Sequence, residues 1–161
     1  MHFVTRAAAC VPLLLGAACS SFAPAALPPG SSIADARAVF AGPAAEFALP
    51  EGGKRLEFRR GRQTWMLDFD AAGTLTKSEQ VLDEAHFATV GPGLSADEVR
   101  MRIGAPVETF PVGWQRLVVW NYRWWQGDCV WYQVSISRDT GLVTDAGYGS
   151  DPACSRGSSR D

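Results

Sequence analysis

The chain has 161 residues, 47% of them hydrophobic and 20% charged, with 15 Lys+Arg against 17 Asp+Glu and a formal net charge of −2. Such a composition excludes a low-hydrophobicity disordered chain, and the missing basic surplus argues against nucleic acid as a partner. After residue 18 no stretch is apolar enough to span a bilayer as a helix.

Residues 1–18 read as a leader. Arg6 and the amino terminus supply positive charge, and Ala7 to Ala18 is apolar apart from the break at Pro12. That is the length of a signal-peptide apolar region and too short for a membrane span. The run ends "LLLGAACSS", with Cys19 behind three small residues. It resembles the lipobox of bacterial lipoproteins, although Gly16 stands where that pattern carries Leu. The resemblance implies that Cys19 is acylated, palmitate among its chains, and becomes the first mature residue. Two or more chains suffice for stable anchoring. Ser20 rather than Asp follows the cysteine, which by the lipoprotein sorting pattern implies the outer membrane, facing the periplasm. The alternative is ordinary secretion with cleavage after Ala23 or Ala25. Residues 19–29, rich in Pro and Ala, then form a tether.

Residues 30–81 read as a first unit. "PGSSIADARAVFAGP" (Pro29 to Pro43) places Asp35 three positions after Ser32, the spacing of a capping box. Ile33, Ala36 and Phe40 share one helical face, and Gly42 and Pro43 stop the helix. "RLEFRRGRQTWMLDFDAAGTLTKSEQVL" (Arg55 to Leu82) follows, reading as three strands with turns at Gly61 and "DAAG".

Residues 82–154 read as a second unit. "LDEAHF" (Leu82 to Phe87) adds a short helix. "PGLSADEVRMRIGAP" (Pro92 to Pro106) then repeats the first motif 63 positions on. Ser95 and Glu98 form the box, Leu94 and Val99 sit where a hydrophobic staple would, and Ala96, Val99 and Ile103 share a face. Gly104 and Pro106 end it. Val118, Trp120, Tyr122 and Trp124 alternate on one strand, Val130, Tyr132, Val134 and Ile136 on the next, and Leu142 to Tyr148 forms a third. Period-two alternation with polar turns means antiparallel strands with one buried face. Cys129 and Cys154 remain once Cys10 leaves with the leader and Cys19 is acylated, and in an oxidising compartment they can pair in one way. The link would contribute roughly 3 kcal/mol. Two free thiols or an intermolecular bond are the alternative. The tail, 155–161, should fray.

The fold class expected is therefore α+β: two tandem units, each with one or two short helices packed on a three-stranded antiparallel meander. Each half is too thin to bury its apolar face alone, and two stacked copies can.

In the second unit Gly93, Leu94, Ser95, Glu98, Val99, Ile103, Gly104 and Pro106, followed by Trp120 and Tyr122, resemble the BamE (SmpA/OmlA) family of small outer-membrane lipoprotein domains. The resemblance spans roughly 30–150 and is weaker in the first unit. It implies helices on an antiparallel sheet and a non-catalytic accessory role at the barrel-assembly machinery. A related tandem unit makes secreted β-lactamase inhibitor proteins, which bind their target through aromatic side chains. That gives the alternative of a secreted or periplasmic inhibitor-like binding module.

Little catalytic chemistry is visible. His86 is the one histidine after the leader. "DEAH" (Asp83 to His86) lacks any phosphate-binding loop elsewhere, and "EGGK" (51–54) lacks the glycine and hydroxyl residue such a loop needs. A small hydrolase or metal protein built on His86, Asp83 and Asp68 is the weakest alternative; one Asp–His pair is not a metal site. Asp68 and Asp70 read better as solvated turn-edge acids than as paired carboxylates. No enzyme activity, metal, cofactor or small-molecule substrate is expected. The unusual feature is tryptophan: Trp114, Trp120, Trp124, Trp125 and Trp131 lie within eighteen residues. Trp120 and Trp124 fall on the core face. Trp125 and Trp131 fall on the opposite face beside Arg123, and exposed Trp and Arg dominate protein-binding surfaces. Either the other unit's helix or the disulfide covers them, or, left uncovered, those three are the candidate partner site.

Overall fold

A computed structural model describes residues 27–123, 129–151 and 154. Expectations for the leader, Cys19, Trp124, Trp125 and the tail fall outside the described residues.

Both repeated motifs form capped helices. In α1 (Ile33–Phe40) the Asp35 N–H donates to Ser32 Oγ at 3.2 Å and Ser32 N–H donates to Asp35 at 2.8 Å. In α3 (Ala96–Ile103) Ser95 and Glu98 repeat both bonds at 3.2 and 2.8 Å. The hydrogen bonds from Ser32 and Ser95 hold the Asp35 and Glu98 carboxyls below their ordinary range. Gly104 ends α3 at φ 81°. The first helix instead ends on Ala41, at φ 67°, so Gly42 does not take the left-handed position expected of it. The short helix of "LDEAHF" is α2 (Glu84–Phe87), capped by Asp83, whose side chain accepts from His86 N–H.

The strands are β1 (Ala45–Ala48), β2 (Lys54–Arg60), β3 (Gln63–Phe69), β4 (Leu75–Gln80), β5 (Glu108–Val112), β6 (Leu117–Arg123), β7 (Val130–Ser137) and β8 (Val143–Ser150). They make two antiparallel sheets of order β1-β2-β3-β4 and β5-β6-β7-β8. The α+β class and the two sheet units are as expected. Three strands per unit is not: each sheet has four. The missed strands are edges. β1 has only four residues, and β5 carries Pro111 and is almost wholly exposed. β1 alternates only between half-buried and exposed over its four residues, and β5 does not alternate, which leaves a sequence reading little to find.

Strand register makes the duplication explicit. Leu56 pairs with Leu67 and Phe58 with Trp65; Trp120 pairs with Val134 and Tyr122 with Tyr132. Phe69 meets Leu75 beside a bulge, and Ile136 meets Val143 beside another. Each set faces its own helix. Ala36 and Phe40 pack on Leu56, Phe58, Trp65, Leu67 and Phe69, with Ile33 against them. Val99 and Ile103 pack on Trp120, Tyr122, Tyr132, Val134 and Ile136. Tyr132 stacks on Phe87 at 4.1 Å and its hydroxyl donates to Phe87 O at 2.9 Å. Burial pushes the Tyr132 phenol up to about 12.

The units meet through α3. The face of sheet 1 opposite α1 carries Arg55, Glu57 and Arg59, with Thr64 and Met66 across from them. The end of α3 lies on it. Arg55 Nη1 donates to Met101 O at 2.7 Å, and Arg59 Nη2 donates to Ala105 O at 2.9 Å. Ala105 N–H donates to Glu57 at 3.0 Å. Two guanidiniums thus meet free carbonyls at the negative end of a helix, and a carboxylate takes a free N–H beyond it. Glu57 is 0% exposed and also accepts from Arg59 Nε at 2.7 Å. At Gly104 a Cβ would lie 2.8 Å from Thr64 Cγ2, so only glycine allows this approach. The order of layers is α1, sheet 1, α3 with α2, sheet 2.

Candidate partner-binding site

The layering leaves one sheet face without a helix: that of sheet 2 opposite α3. Alternation along β6 and β7 puts Val119, Asn121, Arg123, Trp131, Gln133 and Ser135 on it. Phe110 joins them, in register with Val119.

Trp131 is a candidate anchor only if it is left uncovered. It is buried, 1% exposed, because the Arg123 guanidinium lies over its ring at 4.7 Å. Arg123 is half-exposed and reaches Asp151 at 3.6 Å. Asn121 donates to Glu108 at 2.9 Å and accepts from Gln133 at 2.9 Å. The Gln133 amide occupies the space where a Cβ at Gly149 would collide with it. This half of the face is closed by polar side chains. The disulfide Cys129–Cys154 forms beside it, with Cα atoms 5.4 Å apart, and Asp151 N–H donates to Cys129 O at 2.8 Å.

The open apolar surface lies on the β5–β6 hairpin. Trp114, in a 3-10 turn at its tip, is 84% exposed, and Phe110 is 40% exposed. Arg116, in the left-handed conformation after the turn, pairs with Asp139 of the neighbouring turn. Sequence reasoning grouped Trp114 with the other tryptophans but gave it no role. The usable signal was its place in "PVGWQR", a tryptophan next to a glycine turn with no alternating partner.

The acidic and histidine candidates each have close partners within the fold. His86 Nδ1 sits 2.7 Å from Asp83 Oδ1, and Nε2 lies 3.8 Å from Glu79 on β4. Burial raises the Asp83 carboxyl, but bonds from the His86 backbone and ring outweigh it and leave it below its ordinary value. Among the described residues no group of three metal-ligating side chains exists. Asp68 is not a solvated turn acid: it forms a two-pronged pair with Arg55, at 2.6 and 2.7 Å, under the end of α3. Asp70 accepts from Thr74 N–H at 2.9 Å, as a turn residue does.

No family model and no curated protein matches the chain. One solved structure is similar, the crystal structure of a DUF4309 family protein (YjgB) from Bacillus subtilis. It is 11% identical over 75% of this chain and 79% of that one, with a TM-score of 0.31. A likeness that weak carries no argument about fold or function.

Proposed function

We propose that the chain is a non-catalytic, lipid-anchored envelope protein of BamE-like build that binds another protein through the outer surface of the β5–β6 hairpin. The observation that carries the binding role is Trp114, 84% exposed, on the same hairpin as a partly exposed Phe110. Large aromatic side chains left in water at a rigid turn are what protein interfaces use as anchors. The lipid anchor rests on Cys19 and the apolar leader before it. Outer-membrane residence and service to the barrel-assembly machinery rest on the resemblance of Gly93–Pro106 and Trp120–Tyr122 to that family.

Site-specific photocrosslinking in living cells tests the binding role. A crosslinker at position 114 should give one dominant adduct, lost when Phe110→Ser is added. Adducts no different from those of a crosslinker at Arg37, on exposed α1, would refute it. Mass spectrometry of the mature N-terminus tests the anchor. Acyl chains on Cys19 are expected, and an unmodified N-terminus after Ala23 or Ala25 would favour the secreted inhibitor-like alternative.

A further inference from the structure

Comparing the two sheets position by position exposes an unfilled site. By strand register Arg123 corresponds to Arg59, Asn121 to Glu57 and Trp131 to Thr64. In sheet 1 the Arg59 guanidinium has its acceptors: Nε donates to the Glu57 carboxylate and Nη2 to Ala105 O. In sheet 2 the carboxylate is replaced by the Asn121 amide, whose oxygen and nitrogen are both committed, to Gln133 and Glu108. Arg123 Nε is consequently buried without an acceptor. Trp131 Nε1, on a side chain 1% exposed, is buried without one too. These two N–H donors, with the guanidinium of one over the ring of the other, make no hydrogen bond, although an Asp151 oxygen lies 3.6 Å from Arg123 Nη2. Buried donors left unmade cost about 1–3 kcal/mol each, so such a pair is not expected to persist without a role or a guest.

We infer that Arg123 and Trp131 form a carboxylate-binding site, in which an external carboxylate takes the place that Glu57 fills within sheet 1. The charge, the two donors and the lack of an acid at position 121 point to an oxyanion; the Glu57 precedent selects a carboxylate. Entry requires the half-exposed Arg123 side chain to swing away from Asp151, whose carboxylate lies 3.6 Å from Nη2. The same chemistry is offered by a free small carboxylate or by an acidic side chain of a partner protein. The inference does not depend on the Trp114 hairpin, and neither result bears on the other.

The indole N–H resonance of Trp131 in the intact mature protein reads the site directly; Trp131→Phe assigns it. Sodium acetate and a hexaglutamate peptide are titrated separately, with sodium chloride at matched ionic strength as control. A saturable downfield shift with acetate is expected, with an apparent affinity about tenfold weaker or unmeasurable in Arg123→Gln. Arg123→Lys, which keeps the charge and loses Nε, should behave like Arg123→Gln. Asn121→Glu, which restores the internal carboxylate, should place the resonance near its bound position and remove the response. Tighter binding of the peptide than of acetate assigns the carboxylate to a partner protein, and equal binding assigns it to a free ligand. An indole resonance that moves no more with acetate or peptide than with chloride, or moves equally in Arg123→Gln, overturns the inference.

Discussion

Glu57→Ala is the sharpest perturbation of the join between the units. Glu57 is wholly buried and accepts two hydrogen bonds, from Arg59 at 2.7 Å and from the Ala105 N–H at 3.0 Å. Removing it leaves a guanidinium and a main-chain N–H without their acceptor. Breaking a buried charged pair by deleting one partner costs about 3–5 kcal/mol. The Arg59 side chain is 38% exposed, and water can reclaim part of it. The orphaned N–H adds about 1–3 kcal/mol. An overall loss of about 3 kcal/mol is expected, or roughly 10 °C in melting temperature for a domain of this size. Denaturant unfolding followed by circular dichroism measures it. Arg59→Ala, which leaves a wholly buried carboxylate without its cation, should cost at least as much. A Glu57→Ala loss under about 0.5 kcal/mol, the range of ordinary surface changes, would mean that the charged contact does not hold α3 to sheet 1.

Gly104→Ala should destabilise by at least about 1–2 kcal/mol, since φ is +81° and the new methyl meets Thr64 at 2.8 Å; thermal unfolding reads this. Ser95→Ala removes the cap of α3 and should cost about 1 kcal/mol by denaturant unfolding. The lowered Asp35 and Glu98 carboxyls make the caps pH-dependent. Their stabilisation is complete above the ordinary carboxylate pKa of about 4 and is lost as pH falls through the lower folded values. An acid titration of stability should therefore be shallower in the double variant Ser32→Ala/Ser95→Ala. Reduction of Cys129–Cys154, which are 25 positions apart, should cost roughly 3 kcal/mol in denaturant unfolding with dithiothreitol. Trp114→Ala should leave the unfolding midpoint unchanged within error, because its ring lies in water.

The helices were legible because their signals are local. A Ser–x–x–acid box, an apolar face and a glycine–proline stop each act within one turn of chain. The central strands were legible because Leu56/Phe58 and Trp120/Tyr122 alternate against a buried face. β1 and β5 were not, since β1 spans only four residues and "ETFPV" has no alternation to show. Asp68 was misread for a different reason. Its partner, Arg55, lies on another strand, and the cover over both comes from α3, far along the chain. The partner site was half legible. Alternation put Trp131 and Arg123 on the face without a helix, but the closure of that face depends on Arg123 lying over the ring, which no spacing reveals. Trp114 was passed over because a turn residue has no face to assign.

Native-state hydrogen exchange tests most directly whether the two units behave as one body joined through α3. The amides of Leu67 in β3 and Val134 in β7, each at the centre of its own core, should open with the same free energy and the same denaturant dependence. Exchange of Leu67 through a separate opening of lower energy, with Val134 still protected, would show that sheet 1 comes apart without sheet 2 and would contradict a single body joined through α3.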